Sequence, residues 1–162
     1  MCIRDRNKTT APNATLDNEA LTIKNISPTF TEPGTNIMYS IKIVNEGKYT
    51  AYITADEIYA IQEKINSEKQ CVPADGTTAE YVASACKDMD FIVEIVHTDG
   101  TSINSSIQLE DEKSMAIEPN DYIELIIDIT YWSSSTALRA DGDFEVVFPD
   151  IKLNFSTVNP EA

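Results

Sequence analysis

Few residues in this chain have the types and spacing that catalysis requires, and the histidine is the first to consider. His97 is the only histidine among 162 residues. A Ser/His/Asp hydrolase needs a histidine that orients against a serine and a carboxylate. Yet His97 ends a strand-like stretch beside Asp99-Gly100, and the chain contains no Gly-x-Ser-x-Gly elbow and no His-Glu-x-x-His zinc motif. The sequence therefore predicts an ordinary turn histidine and a protein that is not an enzyme.

Acidic residues and one tryptophan define an alternative function. With 27 Asp and Glu residues, spacing alone cannot select a glycosidase pair. Oxygen ligands for calcium occur on loop-like segments at Asp88 with Asp90, at 110–112 and at 141–143, although none matches the EF-hand loop. Trp132 could offer a surface for sugar stacking, but a single Trp at the rim of a sandwich is more often a half-buried part of the core. We predict no cofactor, and the alternative is a carbohydrate- or calcium-binding accessory module of a larger surface protein.

The cysteines indicate the cellular compartment in which the protein folds. Cys2 lies in residues 1–6, which resemble a translated sequencing adapter and are set aside from fold analysis, so a signal peptide would have been lost by truncation. The remaining pair, Cys71 and Cys86, indicates one disulfide formed in an oxidising compartment. It would close a loop of about 15 residues, worth about 3 kcal/mol in the chain-entropy model. The competing interpretation is two separate buried thiols in a cytosolic protein.

Charge and hydropathy exclude several partner classes. The formal net charge is −15 and the pI is near 4.2, so no basic patch could neutralise nucleic-acid phosphates. An anionic membrane surface is disfavoured for the same reason. No stretch approaches the roughly 20 apolar residues of a membrane-spanning helix. The hydrophobic fraction of 42% supports a folded core, which leaves a protein partner or self-association.

Alternating apolar residues predict the strands that position these groups. In the stretch 122–132, one face carries Ile123, Leu125, Ile127 and Ile129, while polar residues fall on the other face. The same alternation recurs elsewhere, at 36–44, 91–98 and 143–148. With turn signals between them, these stretches predict an antiparallel all-β sandwich of seven to eight strands, either immunoglobulin-like or jelly-roll. We assign 7–18 to a flexible lead-in and 19–158 to the sandwich domain.

The middle of the chain departs from this pattern and predicts a short helical insertion between about 55 and 86. Thr54 and Glu57 have the spacing of a capping box. Ile58, Ile61 and Ile65 then recur at helical spacing, which predicts a helix over 55–67. The competing interpretation continues the preceding strand through Ile58 and Tyr59.

Two segments resemble parts of bacterial surface proteins. Thr31–Thr35 followed by Tyr39–Gly47 is similar to a Pro-Gly, Tyr and Asn-x-Gly pattern of bacterial immunoglobulin-like or jelly-roll surface domains. Ile117–Tyr131 resembles the second turn and long strand of the TasA/camelysin-like family of Bacillota, fibre-forming components of biofilm matrix. Asn120 stands where that family has Gly. The resemblance implies a secreted or cell-surface domain, and no protease activity carries over because matching catalytic residues are missing.

These inferences combine into one expected function. The sequence indicates a non-catalytic structural or adhesion domain, extracellular or on the cell surface, that assembles by adding a strand to a neighbour. The polar segment 7–19 is the candidate donor strand, and the strands at 21–26 and 151–155 are candidate acceptors. The alternative is that 7–19 is a disordered linker.

Overall fold

A computed structural model describes most of the chain. The described residues are 2–5, 15–17, 21–30, 34–73, 82, 86–87, 89–104, 114–131 and 144–160. Several residues named above lie outside these ranges: Trp132, Asp88, 110–112, 141–143 and most of 7–18.

Strands account for nearly all regular structure in the described ranges, as the all-β prediction requires. The strands are β1 Cys2–Asp5, β2 Thr15–Asp17, β3 Thr22–Lys24, β4 Thr29–Phe30, β5 Asn36–Val44, β6 Ala51–Thr54, β7 Gln70–Pro73, β8 Met89–His97, β9 Ser102–Asn104, β10 Ser114–Ile117, β11 Tyr122–Tyr131, β12 Phe144–Val147 and β13 Ile151–Lys152. One long helix, α1 Ala55–Glu68, connects β6 to β7. The thirteen strands in the described ranges exceed the seven to eight that the sequence predicts. The additional strands have only two to four residues, which is too short to show an alternating pattern.

The first layer is an antiparallel sheet in the order β1-β5-β11-β8-β9. β11 lies at its centre, where Ile127 pairs with Tyr39 of β5 and with Val93 of β8. The predicted register is confirmed, since four β11 side chains are fully buried: Ile123, Leu125, Ile127 and Ile129. Ile126, on the opposite face, is only partly buried.

The second layer is built around a long irregular ladder between 21–30 and 144–153. Its sheets have the orders β13-β3-β2, β4-β12-β7 and β10-β6. Between the named strands the ladder continues, because Val146 N donates to Pro28 O at 2.9 Å and Phe148 N donates to Ile26 O at 3.0 Å. Pro149 lies in the interruption between β12 and β13, where a residue without a backbone N–H cannot donate to the ladder.

Helix α1 begins and packs as the sequence predicts. The Thr54 hydroxyl accepts a hydrogen bond from Glu57 N at 3.3 Å, which caps the first turn. Ile58, Ile61 and Ile65 are buried in the same core as both layers. The competing interpretation of a continued strand through Ile58 is therefore wrong. In the second half of the insertion, residues 82 and 86–87 are helical.

Candidate functional site

Three turns meet at one end of the sandwich, and Asn45 joins two of them. Its side chain is 2% exposed. The amide nitrogen donates to the carbonyl oxygens of Tyr49 and Ile117, both at 2.8 Å, and the amide oxygen accepts from Gly47 N at 3.0 Å. A side-chain amide supplies two donors and an acceptor, and here each finds a backbone partner.

The turn before β11 docks against the backbone of Asn45. Asp121 N donates to Glu118 O at 3.0 Å, and Asn120 has a φ of 68°. In this four-residue turn Pro119 is the second residue, and Asn120, with its positive φ, is the third. This matches a type II turn, which takes Gly or Asn at the third position. Asn45 N donates to Asp121 O at 2.9 Å, and Asn120 N donates to Asn45 O at 2.7 Å. The two segments that resemble bacterial surface proteins therefore meet in space.

The third turn links β8 to β9. His97 N donates to Thr101 O at 2.8 Å, and Gly100 N donates to His97 O at 3.0 Å. The predicted Asp-Gly turn is thus a three-residue loop, in which Gly100 adopts a φ of 93° that side chains disfavour. The Asp99 carboxylate stabilises this loop, because it accepts hydrogen bonds from Thr101 N at 2.9 Å and from the Thr101 hydroxyl at 2.7 Å.

His97 connects the third turn to the second. Its Nε2 lies 2.6 Å from Asp121 Oδ2, and its Nδ1 lies 3.1 Å from Asp99 Oδ1. The Thr98 hydroxyl donates to the other oxygen of Asp121 at 3.0 Å. The His97 side chain is only 13% exposed, so water has little access to the imidazole ring. We call His97, Asp99 and Asp121 the histidine clamp.

The electrostatics of the histidine clamp favour a charged imidazole. Burial lowers the pKa of His97, but hydrogen bonds and charge from Asp99 and Asp121 outweigh it and raise that pKa above its ordinary value of 6.5. Hydrogen bonds from Thr101 and His97 lower the pKa of Asp99 to about 2. Burial raises the pKa of Asp121, yet bonds from Tyr122 N, Thr98 and His97 leave it below its usual 3.8.

This geometry binds loops together and does not resemble a hydrolase triad. Each ring nitrogen of His97 faces a carboxylate, so neither is directed at a nucleophilic hydroxyl. Within the described ranges no three His, Cys, Asp or Glu residues are grouped closely enough to hold a metal ion. The contact between His97 and Asp121 was not anticipated from sequence, because only folding brings these residues together across 24 positions.

The disulfide ties the helical insertion to the second layer. Cys71 and Cys86 are bonded in the structure, with their Cα atoms 6.3 Å apart. Cys71 belongs to β7, whose residues pair with β12. The bond therefore holds the short helical stretch at 86–87 against the sandwich.

The outer side of β5 accepts a short strand. Cys2 pairs with Val44 and Asp5 pairs with Ile41, so β1 covers this side, which we call the β5 edge. The sequence predicts different acceptor strands for strand addition, those at 21–26 and 151–155. β3 lies between β13 and β2, so strands already occupy both of its sides. Thr15–Asp17, part of the candidate donor, pairs with β3 of its own chain.

Comparisons with known proteins do not assign the chain to a family. No protein-family model matches it, and no curated protein matches it. The helical segments within the described ranges fall short of the length and apolar character that crossing a membrane requires.

Proposed function

We propose that this protein is a non-catalytic structural or adhesion domain that works outside the cell or on its surface and assembles by strand addition at the β5 edge. The observation that carries the proposal is the binding of residues 2–5 to that edge as an antiparallel strand. Strand addition needs an accessible row of backbone donors and acceptors, and side-chain chemistry is secondary to it. The absence of catalytic motifs from the sequence is compatible with such a role.

The β5 edge suits an added strand because β5 is firmly held from its other side. All nine residues of β5 pair with β11, and Ile41 and Ile43 are buried in the core. Residues 1–6, which contain β1, resemble a translated sequencing adapter. A chain that begins at Asn7 lacks β1, so its β5 edge offers the same backbone groups to an extended segment of a neighbouring copy.

Backbone direction identifies which residues of β5 would bind the added strand. Both backbone groups of Asn45 bond toward the β11 side. Because these groups alternate along a strand, those of Val44 and Lys42 point to the β5 edge. A proline at Lys42 would remove one donor from this edge and leave the bonds to β11 in place.

Two further observations support the proposed location and bear on the proposed assembly. The Cys71–Cys86 disulfide is a bond typical of oxidising compartments. The net charge of −15 keeps separate copies apart in dilute salt, so assembly should strengthen as salt screens repulsion.

Sedimentation of chains with different N-termini tests the proposal. We expect the chain that begins at Asn7 to self-associate more strongly in high salt than in low salt, and the chain that retains residues 1–6 to associate less. Lys42→Pro should abolish association of the shorter chain, whereas Lys42→Ala, which keeps the backbone N–H, should preserve it. A shorter chain that stays monomeric at both salt concentrations would contradict assembly by strand addition.

A further inference from the structure

A groove lies where helix α1 faces the last strand segment of the second layer. Its volume is about 180 Å³. Ile61 and Ile65 of α1 form the floor together with Ile151 of β13, and these three side chains are 7%, 0% and 2% exposed. Pro149, which lies in the interruption between β12 and β13, also lines the groove.

The rim of this groove carries positive charge in a strongly acidic protein. Lys64 and Lys152 both line it, and both are exposed. Neither ammonium group forms an ion pair within the described part of the chain, although acidic residues outnumber basic ones by 27 to 12. Two lysines without an ion pair to any described residue therefore lie beside the same apolar side chains.

The one acidic residue on the rim has a partner of its own. Glu57 Oε2 accepts a hydrogen bond from the side-chain amide of Asn154 at 3.2 Å. This bond links α1 to the last strand segment at the groove. Within the described ranges no ion pair joins Glu57 to Lys64 or Lys152, so both ammonium groups remain available to an anion.

We propose that this groove binds a small monocarboxylic acid with a compact apolar body, such as a single ring or a short branched chain. The apolar body would lie on the isoleucine floor, and the carboxylate would lie between Lys64 and Lys152. Drug-sized ligands occupy about 300–1,000 Å³, whereas a dry cavity of about 150 Å³ accommodates benzene. A groove of about 180 Å³ therefore fits one ring plus a charged group. This site is independent of the β5 edge and of strand addition.

Titration of the isotope-labelled chain with benzoate, followed by NMR, tests the proposal. We expect saturable shifts in the millimolar range, confined to the backbone amides of 57–65 and 150–154. Benzamide has the same shape without the charge and should bind more weakly. Lys64→Gln and Lys152→Gln should each weaken benzoate binding roughly two- to fivefold, the size expected for one exposed ion pair.

Two further variants separate this site from general charge effects. Lys48→Gln removes an exposed lysine in the turn after Asn45 and should leave benzoate affinity unchanged. Ala60→Phe places a ring over the groove from an exposed helical position and should abolish binding while the protein stays folded. Equal affinity for benzoate and benzamide, unsaturable shifts, or wild-type affinity in both lysine variants would overturn the proposal.

Discussion

Asn45 shows how much one side chain contributes to the end of the sandwich. It bonds to the backbone of its own turn and to Ile117 at the end of β10. Its position in the Asn-x-Gly pattern has a physical reason, because only a short amide can donate to two carbonyls and accept from Gly47. We infer that this residue aligns the turn before β11 with the turn after β5.

Replacing Asn45 tests that role. Asn45→Ala leaves the buried carbonyl oxygen of Ile117, the partly buried carbonyl oxygen of Tyr49 and the Gly47 N–H without their partner. It should cost about 1–3 kcal/mol of unfolding free energy. Asn45→Asp keeps the acceptor but loses both donors and adds a buried charge, so it should cost more. Urea unfolding measures both. Asn66→Ala, at an exposed position on α1, should change the free energy by less than about 0.5 kcal/mol; an equal loss there would contradict a special role for Asn45.

A second residue-scale prediction concerns the register of β11. Ile127 is fully buried, and Ile127→Ala should cost about 2–5 kcal/mol through lost burial and the cavity that remains. Ile126 faces the other side, beside Ser40 and Glu94, and is only partly buried. Ile126→Ala should therefore cost clearly less. If thermal or urea unfolding gave the reverse order, the strand would be shifted by one residue.

Among the elements, the histidine clamp couples the β8–β9 loop to the turn that begins β11. His97 has a higher pKa in the folded protein than its ordinary 6.5, so its contribution to stability is complete below about pH 6.5 and is lost as pH rises through the folded pKa. Asp99 and Asp121 have lowered pKa values, so their contribution is present above their ordinary 3.8 and is lost as pH falls. The clamp is thus strongest between these limits.

Measuring unfolding against pH tests this coupling. The free-energy advantage of the wild type over His97→Gln should be greatest at mildly acidic pH and should shrink above neutrality. Because His97 is the only histidine, NMR of its ring also gives its pKa without ambiguity. A ring pKa at or below 6.5, or an advantage that grows with pH, would show that the carboxylates do not hold an imidazolium.

The elements differ in how far sequence could predict them. β5, β8 and β11 each have nine or ten residues, which is long enough for alternation to show. Helix α1 has both a cap and a buried isoleucine stripe. β4 has two residues and β7 four, so pairing with β12 defines them and local pattern does not. The histidine clamp and the groove depend on contacts between distant segments, which periodicity cannot reveal.

At the scale of the whole molecule, the two layers share one core but differ in regularity. The first layer has three long strands in continuous register, and the second is assembled from short strands around a ladder broken at Pro149. The β5 edge belongs to the regular layer, whereas the groove lies beside the interrupted one. This division places the proposed assembly surface on the more regular sheet and the proposed ligand site beside the interrupted ladder.

The ladder between 21–30 and 144–153 also has a consequence for the order of events during synthesis. The segment that leaves the ribosome early obtains its partner only after nearly the whole described chain has been made. Contacts between segments so far apart in sequence form slowly, because a long loop must close before they stabilise anything. The second layer therefore cannot be completed until the last strands emerge. Late completion of this layer is compatible with export before folding ends, which a domain proposed to work outside the cell would need.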